Sequence, residues 1–252
     1  GTDLCLSSLL AAGRYQELLD VLALKKRPTW PWRRYGIRAL RAQVLLHEAL
    51  TYAEASRGLN IPNSAIDAEC EEILRAAGHR TEAYERYALS ANQANTGIAT
   101  FRQVAKKYPE IDPQRILTDL AEASGDPGRW FAAAKDAGHL ELALRFASTG
   151  RTDPKTLSRA ARDFLESDTV FALRVGRFAV DRILAGHGYE ITALELGCAV
   201  EHFLVAARRL AVEADAKSDL ERMLAAHPET PSFFRASVQR HLVGPQPITP
   251  RR

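Results

Sequence analysis

The sequence predicts an all-α protein, and three features of the chain lead to that prediction. No stretch alternates apolar and polar residues with the period of two that marks a half-buried strand. Three Asp-Pro pairs precede helical runs, because Asp caps a first turn and Pro lacks only an amide that would have no partner there. Glycines follow the intervening runs, as they do after a last helical turn. The pairs are Asp112-Pro113, Asp126-Pro127 and Asp153-Pro154, and the glycines are Gly125, Gly138 and Gly150.

The N-terminal elements follow from similar signals. A helical hairpin is expected up to residue 24, with its break at Gly13, and two prolines exclude a regular helix over residues 25–32. Apolar residues then recur with helical spacing, which predicts one long helix over residues 33–57.

Later elements have their own start signals. Ser64 and Asp67 form an approximate capping box, and Thr192 and Glu195 form a complete one. Residues 244–252 contain three prolines and are expected to be a disordered tail. Further helices are predicted over residues 81–95, 97–108, 168–184, 220–226 and 233–243, of which 168–184 is apolar on most sides and is expected to be central.

The composition is that of a globular protein, with 46% hydrophobic and 26% charged residues. No segment approaches the ~18 consecutive apolar residues of a membrane span, and the N-terminus lacks the pattern of a signal peptide. Three widely separated cysteines indicate a reducing compartment, and Cys5, Cys70 and Cys198 are each expected to be small core residues. We therefore expect a cytoplasmic protein without a membrane partner.

Three places in the chain share a helix that ends in Ala-Gly, a short turn, an acidic residue and an apolar run. They are Ala-Ala-Gly13-Arg-Tyr15-Gln-Glu17, Ala-Ala-Gly78-His-Arg-Thr-Glu82-Ala83 with Tyr87, and Asp-Ala-Gly138-His-Leu-Glu141-Leu-Ala143. The pattern resembles the inter-helix turn and second helix of tetratricopeptide repeats, whose period is ~34 residues. The first copy departs from it, with Leu18 and Leu22 at the small and aromatic positions. The first helices also lack the family's Trp, Leu-Gly and Tyr pattern.

The resemblance implies a right-handed stack of antiparallel helical hairpins, a tetratricopeptide-like α-solenoid, over residues 1–152. A less regular helical region over residues 153–243 would pack on it. Because stacked hairpins leave a long concave surface, the resemblance implies a non-enzymatic scaffold that binds a protein or peptide partner.

Residues 25–41 are the strongest candidate for a binding site. No acidic residue lies between Asp20 and Glu48, and seven basic ones do. Arginine pairs with carboxylate or phosphate groups, and aromatic rings stack on bases or peptide side chains. An acidic protein segment and nucleic acid are both open as ligands; alternatively the arginines form a solvated ridge and the tryptophans cover a helix pair. The candidate residues are Trp30, Trp32, Arg33, Arg34, Tyr35, Arg38 and Arg41.

A second candidate is His187 with Tyr189, where flanking glycines and Glu190 permit either acid–base chemistry or a simple exposed turn. A group on one predicted helix is expected to form structural ion pairs: Arg159, Arg162 and Asp163. The sequence has no spacing typical of metal ligands, no phosphate-binding loop and no nucleophile elbow, so we expect no cofactor. An all-α enzyme with a cleft that sequence does not reveal is a third hypothesis.

Overall fold

The computed structural model describes residues 1–26, 28–58 and 61–243. All regular secondary structure in these residues is helical, which confirms the all-α class. The chain divides into two compact units, Gly1–Asp112 and Pro113–Arg252. The grouping into residues 1–152 and 153–243, and the solenoid stacking, stay predictions. The predicted tail lies outside the described residues.

The first unit consists of short helices and one π turn. Among the described helices of this unit, α5 has the most buried residues, and it contacts α4, α6 and the turn that follows α6. The elements are α1 (Thr2–Ala11), α2 (Tyr15–Ala23), α3 (Trp30–Ala42), α4 (Leu46–Glu54), α5 (Asn63–Ala76), α6 (Arg80–Ala83), the π turn (Tyr84–Ala88), α7 (Leu89–Ala91) and α8 (Gly97–Lys107).

The second unit is organised around α13, which packs against α11, α12, α14 and α15, as its apolar circumference predicted. Phe131 and Phe171 stack in its core with ring centroids 6.5 Å apart. The elements are α9 (Pro113–Ser124), a 3-10 turn (Pro127–Trp130), α10 (Phe131–Asp136), α11 (Leu140–Thr149), α12 (Pro154–Asp163), α13 (Thr169–Leu184), α14 (Ala193–Arg209), α15 (Glu213–Ala226) and α16 (Ser232–Val243).

One type of turn ends a helix at six places in the described chain. Its central residue has a positive φ and its amide bonds the carbonyl three residues back, while the next amide bonds the carbonyl five residues back. This is the Schellman arrangement, which satisfies carbonyls that the helix end leaves free. The three turns compared in the sequence all adopt it. The central residues are Gly13, Val44, Gly78, Gly138, Gly186 and Ala211.

The long helix expected over residues 33–57 is two helices, so that prediction is wrong at its centre. α3 ends at Ala42 and α4 begins at Leu46, and Val44 between them has a φ of 60°. The amides of Val44 and Leu45 bond back to carbonyls of α3, which closes the turn without a glycine. Valine is not a turn signal in a sequence, so the helical spacing on both sides conceals the break.

Two predicted helix starts also differ. α3 begins at Trp30, inside the segment expected to be irregular, because Pro31 occupies the first turn, where a missing amide costs nothing. α5 begins at Asn63 and no side chain caps it, so the capping box between Ser64 and Asp67 is wrong.

The predicted cap and capping box in the second unit are confirmed. Thr192 and Glu195 form both hydrogen bonds of the capping box. The Asp153 carboxylate accepts a hydrogen bond from an amide in the first turn of α12. Gly150 differs from its prediction, because it ends α11 with a φ of −106°, outside the left-handed region. It lacks a side chain for another reason: a Cβ there would collide with the backbone of Gly128.

Of the three cysteines, Cys70 is buried, whereas Cys5 and Cys198 are exposed, which corrects the expectation that each is a core residue. In both exposed cases the next residue along the helix, Leu6 or Ala199, is the buried one. The apolar neighbours in the sequence therefore pack inward while the thiols face outward.

Two carboxylates on α5 are buried in hydrogen-bond networks. Glu71 is 1% exposed and accepts bonds from Asn92 Nδ2 at 2.9 Å, Tyr108 Oη at 2.8 Å and Lys107 Nζ at 2.7 Å. Asp67, one turn earlier, is similarly bonded by an arginine and a serine. A buried carboxylate is tolerated when its oxygens are satisfied in this way. These networks join α5 both to the segment that follows α4, through Arg57, and to later helices.

Candidate functional site

The seven predicted binding residues lie on α3, which turns them toward different surroundings. Arg34 Nε lies 3.0 Å from Glu69 Oε2. The guanidinium nitrogens of Arg41 lie 3.9 Å from carboxylate oxygens of Glu69 and Glu72. Carboxylates of α5 therefore neutralise two of the three arginines that share a face, while Arg38 is exposed and forms no ion pair with a described residue.

The aromatic residues of the segment are only partly accessible. Trp32 and Tyr35 pack against the core that α1 and α2 form with α3. Trp32 Nε1 also donates a hydrogen bond to Asp3 Oδ1 at 3.1 Å, and Trp30 is half-buried. Lys25 Nζ lies 5.7 Å from the centroid of the Trp32 ring, a distance typical of a cation–π contact. Trp32 therefore covers the α1–α2 hairpin and positions Lys25.

Arg33 points in another direction, toward α4. Its Nη1 donates to Ser56 Oγ at 3.0 Å, and its guanidinium lies 5.5 Å from the centroid of the Tyr52 ring. Its Nε is buried and has no hydrogen-bond partner among the described residues. Because a buried N–H without a partner is costly, this nitrogen reduces the stability gained from packing Arg33 against α4.

Arg33 lines a cleft of about 670 Å³ between α2, the following loop, α3 and α4. This volume is within the usual ~300–1,000 Å³ range of ligand sites. The floor is mainly apolar, from Leu19, Leu22, Leu40 and Tyr52, and we call this region the N-terminal cleft.

Gly36 allows the three helices to approach closely enough to form this cleft. A Cβ at Gly36 would lie 2.9 Å from Tyr52 Cε1 and 3.0 Å from Leu22 Cδ1. Burial raises the pKa of Tyr52, and the positive charge of Arg33 partly offsets that rise. The tyrosine is therefore a neutral, half-buried wall of the cleft.

The rim of the N-terminal cleft carries excess positive charge. Lys25 and Lys26 are exposed and form no ion pair with a described residue, and Arg33 adds a third cation. The acidic residue of the lining is Glu48, which is exposed beside His47. An apolar floor below a cationic rim complements a ligand that carries both apolar groups and negative charge.

Several cleft residues were absent from the sequence prediction. Glu48, Thr51 and Tyr52 belong to the part of the chain predicted as one continuous helix with α3. The turn at Val44 brings α4 back against α3, and a valine in the sequence does not predict such a turn.

The other sequence candidates lie in the second unit. His187 and Tyr189 are exposed and line a separate cleft, whereas Glu190 does not line it. Arg162 pairs with Asp163 at 2.8 Å, and Arg159 Nε donates to a backbone carbonyl of its own helix. The expected structural ion pair is therefore confirmed for Arg162 and Asp163.

No group of three or more potential metal ligands occurs among residues 1–26, 28–58 and 61–243. Within the same residues, no helix is both long and apolar enough to cross a bilayer. Comparison with protein-family models, curated proteins and solved structures gave no significant match. The case for a function therefore depends on the geometry of the clefts.

Proposed function

We propose that this chain is a non-enzymatic helical module that binds a protein partner through the N-terminal cleft. The partner contributes a segment that carries acidic side chains beside apolar ones. The observation behind this proposal is the cationic rim of Lys25, Lys26 and Arg33 above an apolar floor. The resemblance to tetratricopeptide repeats is consistent with this proposal, because stacked helix pairs leave a concave surface on which a partner can bind.

Nucleic-acid binding by residues 25–41 is the alternative, and we favour it less. Arg34 and Arg41 already face carboxylates of α5, and Trp32 is packed and hydrogen-bonded. Fewer free cations and ring faces are then available for phosphates and bases than the sequence suggests.

An enzyme would require a nucleophile or a base that a second side chain orients. His47 and Glu48, which are adjacent in the lining, are both exposed and share no hydrogen bond in the described chain. The apolar character of the floor fits a bound side chain better than a catalytic centre.

The proposal is tested by selecting displayed random peptides against the full chain and measuring the affinity of the enriched ones. We expect enrichment of segments that combine Asp or Glu with Leu or Phe. The double variant Lys25→Glu/Lys26→Glu reverses the rim charge and should lower the affinity for these peptides by about tenfold, or about 1.4 kcal/mol. Thr51→Trp, which fills the cleft from its exposed edge, should lower the affinity without a change of charge.

The matched control is Lys106→Glu, which reverses an exposed charge on α8 in the same unit and should leave affinity unchanged. Equal affinity of the enriched peptides for the Lys25→Glu/Lys26→Glu variant and for the unaltered chain would contradict the proposal. Single-stranded oligonucleotides that bind more tightly than any peptide, with a steep dependence on salt, would favour the alternative.

A further inference from the structure

A second cleft, of about 590 Å³, lies in the second unit where α11, α12 and α13 have their ends. Its lining brings together Arg151, Arg182, His187 and Tyr189, residues that the proposed docking role does not use. Two arginines, an imidazole and a phenol are donors suited to an anion. We call it the C-terminal cleft.

Arg182 is held in place by backbone groups. Its Nη2 donates to the carbonyl of Ala147 at 2.9 Å and to the carbonyl of Gly150. Its Nε and Nη1 make no hydrogen bond to a described residue. The guanidinium is therefore fixed in orientation by one amino group while its remaining donors are free, which lowers the entropy lost when a ligand binds.

The backbone that carries Arg151 is equally well fixed. Asp126 Oδ1 accepts bonds from the amides of Arg151, at 3.0 Å, and Gly128, at 3.1 Å. Thr152 Oγ1 donates to the carbonyl of Gly128 at 3.1 Å. The Arg151 side chain itself is exposed and forms no ion pair within the described part of the chain. A free cation thus projects from a rigid support.

The acidic residue in the lining is Asp153, whose single negative charge is set against the charges of Arg151 and Arg182. Its Oδ2 accepts from the amide and from the hydroxyl of Thr156, at 3.0 Å each, in the first turn of α12. The two arginines therefore leave the cleft with net positive charge, which attracts anions.

We propose that the C-terminal cleft binds a small phosphomonoester. Guanidinium groups hold phosphate oxygens pairwise, so Arg151 and Arg182 bind the phosphate and His187 contributes a further donor. Tyr189, which is 79% exposed at the edge of the cleft, contacts the organic group. The volume is in the usual range for such ligands, and the inference does not depend on the docking role of the N-terminal cleft.

The test titrates the full chain with phenyl phosphate, followed by the amide resonances in NMR spectra. We expect saturable shifts of residues around Arg151 and His187. Arg151→Ala removes an exposed side chain and should weaken binding by about tenfold or more, the usual effect of losing a charge-assisted hydrogen bond. Tyr189→Ala should weaken phenyl phosphate and leave inorganic phosphate unchanged.

The control is Arg159→Ala, which removes an exposed arginine of α12 outside the cleft lining and should leave the affinity unchanged. Arg182→Lys keeps the positive charge but loses the paired donors of the guanidinium, so it should also weaken the binding of phenyl phosphate. An alanine variant is avoided, because loss of both carbonyl bonds would also perturb α11. The absence of saturable shifts, or equal weakening by the Arg151 and Arg159 variants, would overturn the proposal. Equal weakening of phenyl phosphate and inorganic phosphate in Tyr189→Ala would overturn the role of Tyr189.

Discussion

Val44 shows how one residue decides the course of the first unit. It is β-branched, 86% exposed and left-handed, with a φ of 60°. Glycine occupies the equivalent position of the turns at Gly78 and Gly138. A left-handed backbone costs a residue with a Cβ about 1–2 kcal/mol, so the chain holds strain at the turn that forms the N-terminal cleft.

Replacing Val44 by Gly should therefore raise the free energy of unfolding by about 1 kcal/mol, because strain is lost and little buried surface is removed. Ala211→Gly, at the same position of a turn in the second unit, should stabilise by a smaller amount. Urea denaturation of both variants measures the effect. The reverse change, Gly138→Val, should destabilise, and a stabilised Gly138→Val variant would contradict this account of the turns.

At the scale of an element, the contact between Gly128 and Gly150 joins the 3-10 turn to the segment before α12. The backbones approach so closely that neither position has space for a Cβ. Arg182 and Thr152 reinforce the junction through hydrogen bonds to the carbonyls of Gly150 and Gly128. This junction supports the C-terminal cleft, so packing of backbone on backbone fixes where the two arginines project.

We expect Gly150→Ala to lower the free energy of unfolding by about 3 kcal/mol or more, because the clash is with backbone and no side chain can move aside. Thermal unfolding monitored by circular dichroism measures the loss. Gly197→Ala is the matched control, since its Cβ would meet nothing closer than 3.5 Å and alanine favours the helix of α14. Similar melting temperatures for the Gly150 variant and the unaltered chain would show that the junction yields easily.

At the scale of the molecule, buried neutral acids in the first unit link stability to alkaline pH. Burial, with the bond to Glu71, raises the pKa of Tyr108 above its ordinary 10.0. Burial likewise raises the pKa of Cys70 to about 12 from 9.0. In both cases the folded chain keeps a proton that the unfolded chain releases, so folding is favoured fully below the ordinary pKa and less above it.

The free energy of unfolding should therefore decline once the pH rises above about 9, and more steeply above 10.0, by up to about 1.4 kcal/mol per pH unit for each such group. Tyr108→Phe removes one of these groups and should give a shallower decline, although it is less stable at neutral pH. Urea titrations on both sides of pH 10.0 measure the slopes. A decline in Tyr108→Phe as steep as that of the unaltered chain would rule out burial of Tyr108 as the cause.

Local signals in the sequence were sufficient for much of the secondary structure. Helix starts at Asp153 and Thr192 and the turns at Gly78 and Gly138 were predicted correctly, because capping and left-handed turns depend on residues within one helical turn of each other. The all-α class follows from the same short-range patterns. The break at Val44 was missed because its conformation is imposed by the packing of α4 on α3 and not by the residue's own preference.

The binding surfaces depend on contacts that sequence spacing does not contain. Helical spacing placed Arg34 and Arg41 on one face, but only the folded chain brings the carboxylate of Glu69 to both of them. The adjacent Arg33 faces a cleft instead, and Arg182 joins Arg151 from a helix that follows later in the chain. Local patterns along the chain therefore determined the all-α class, and the distribution of charge determined the position of the basic segment. Tertiary packing decided which cations remain free, because neutralisation depends on distances in space between residues far apart in sequence.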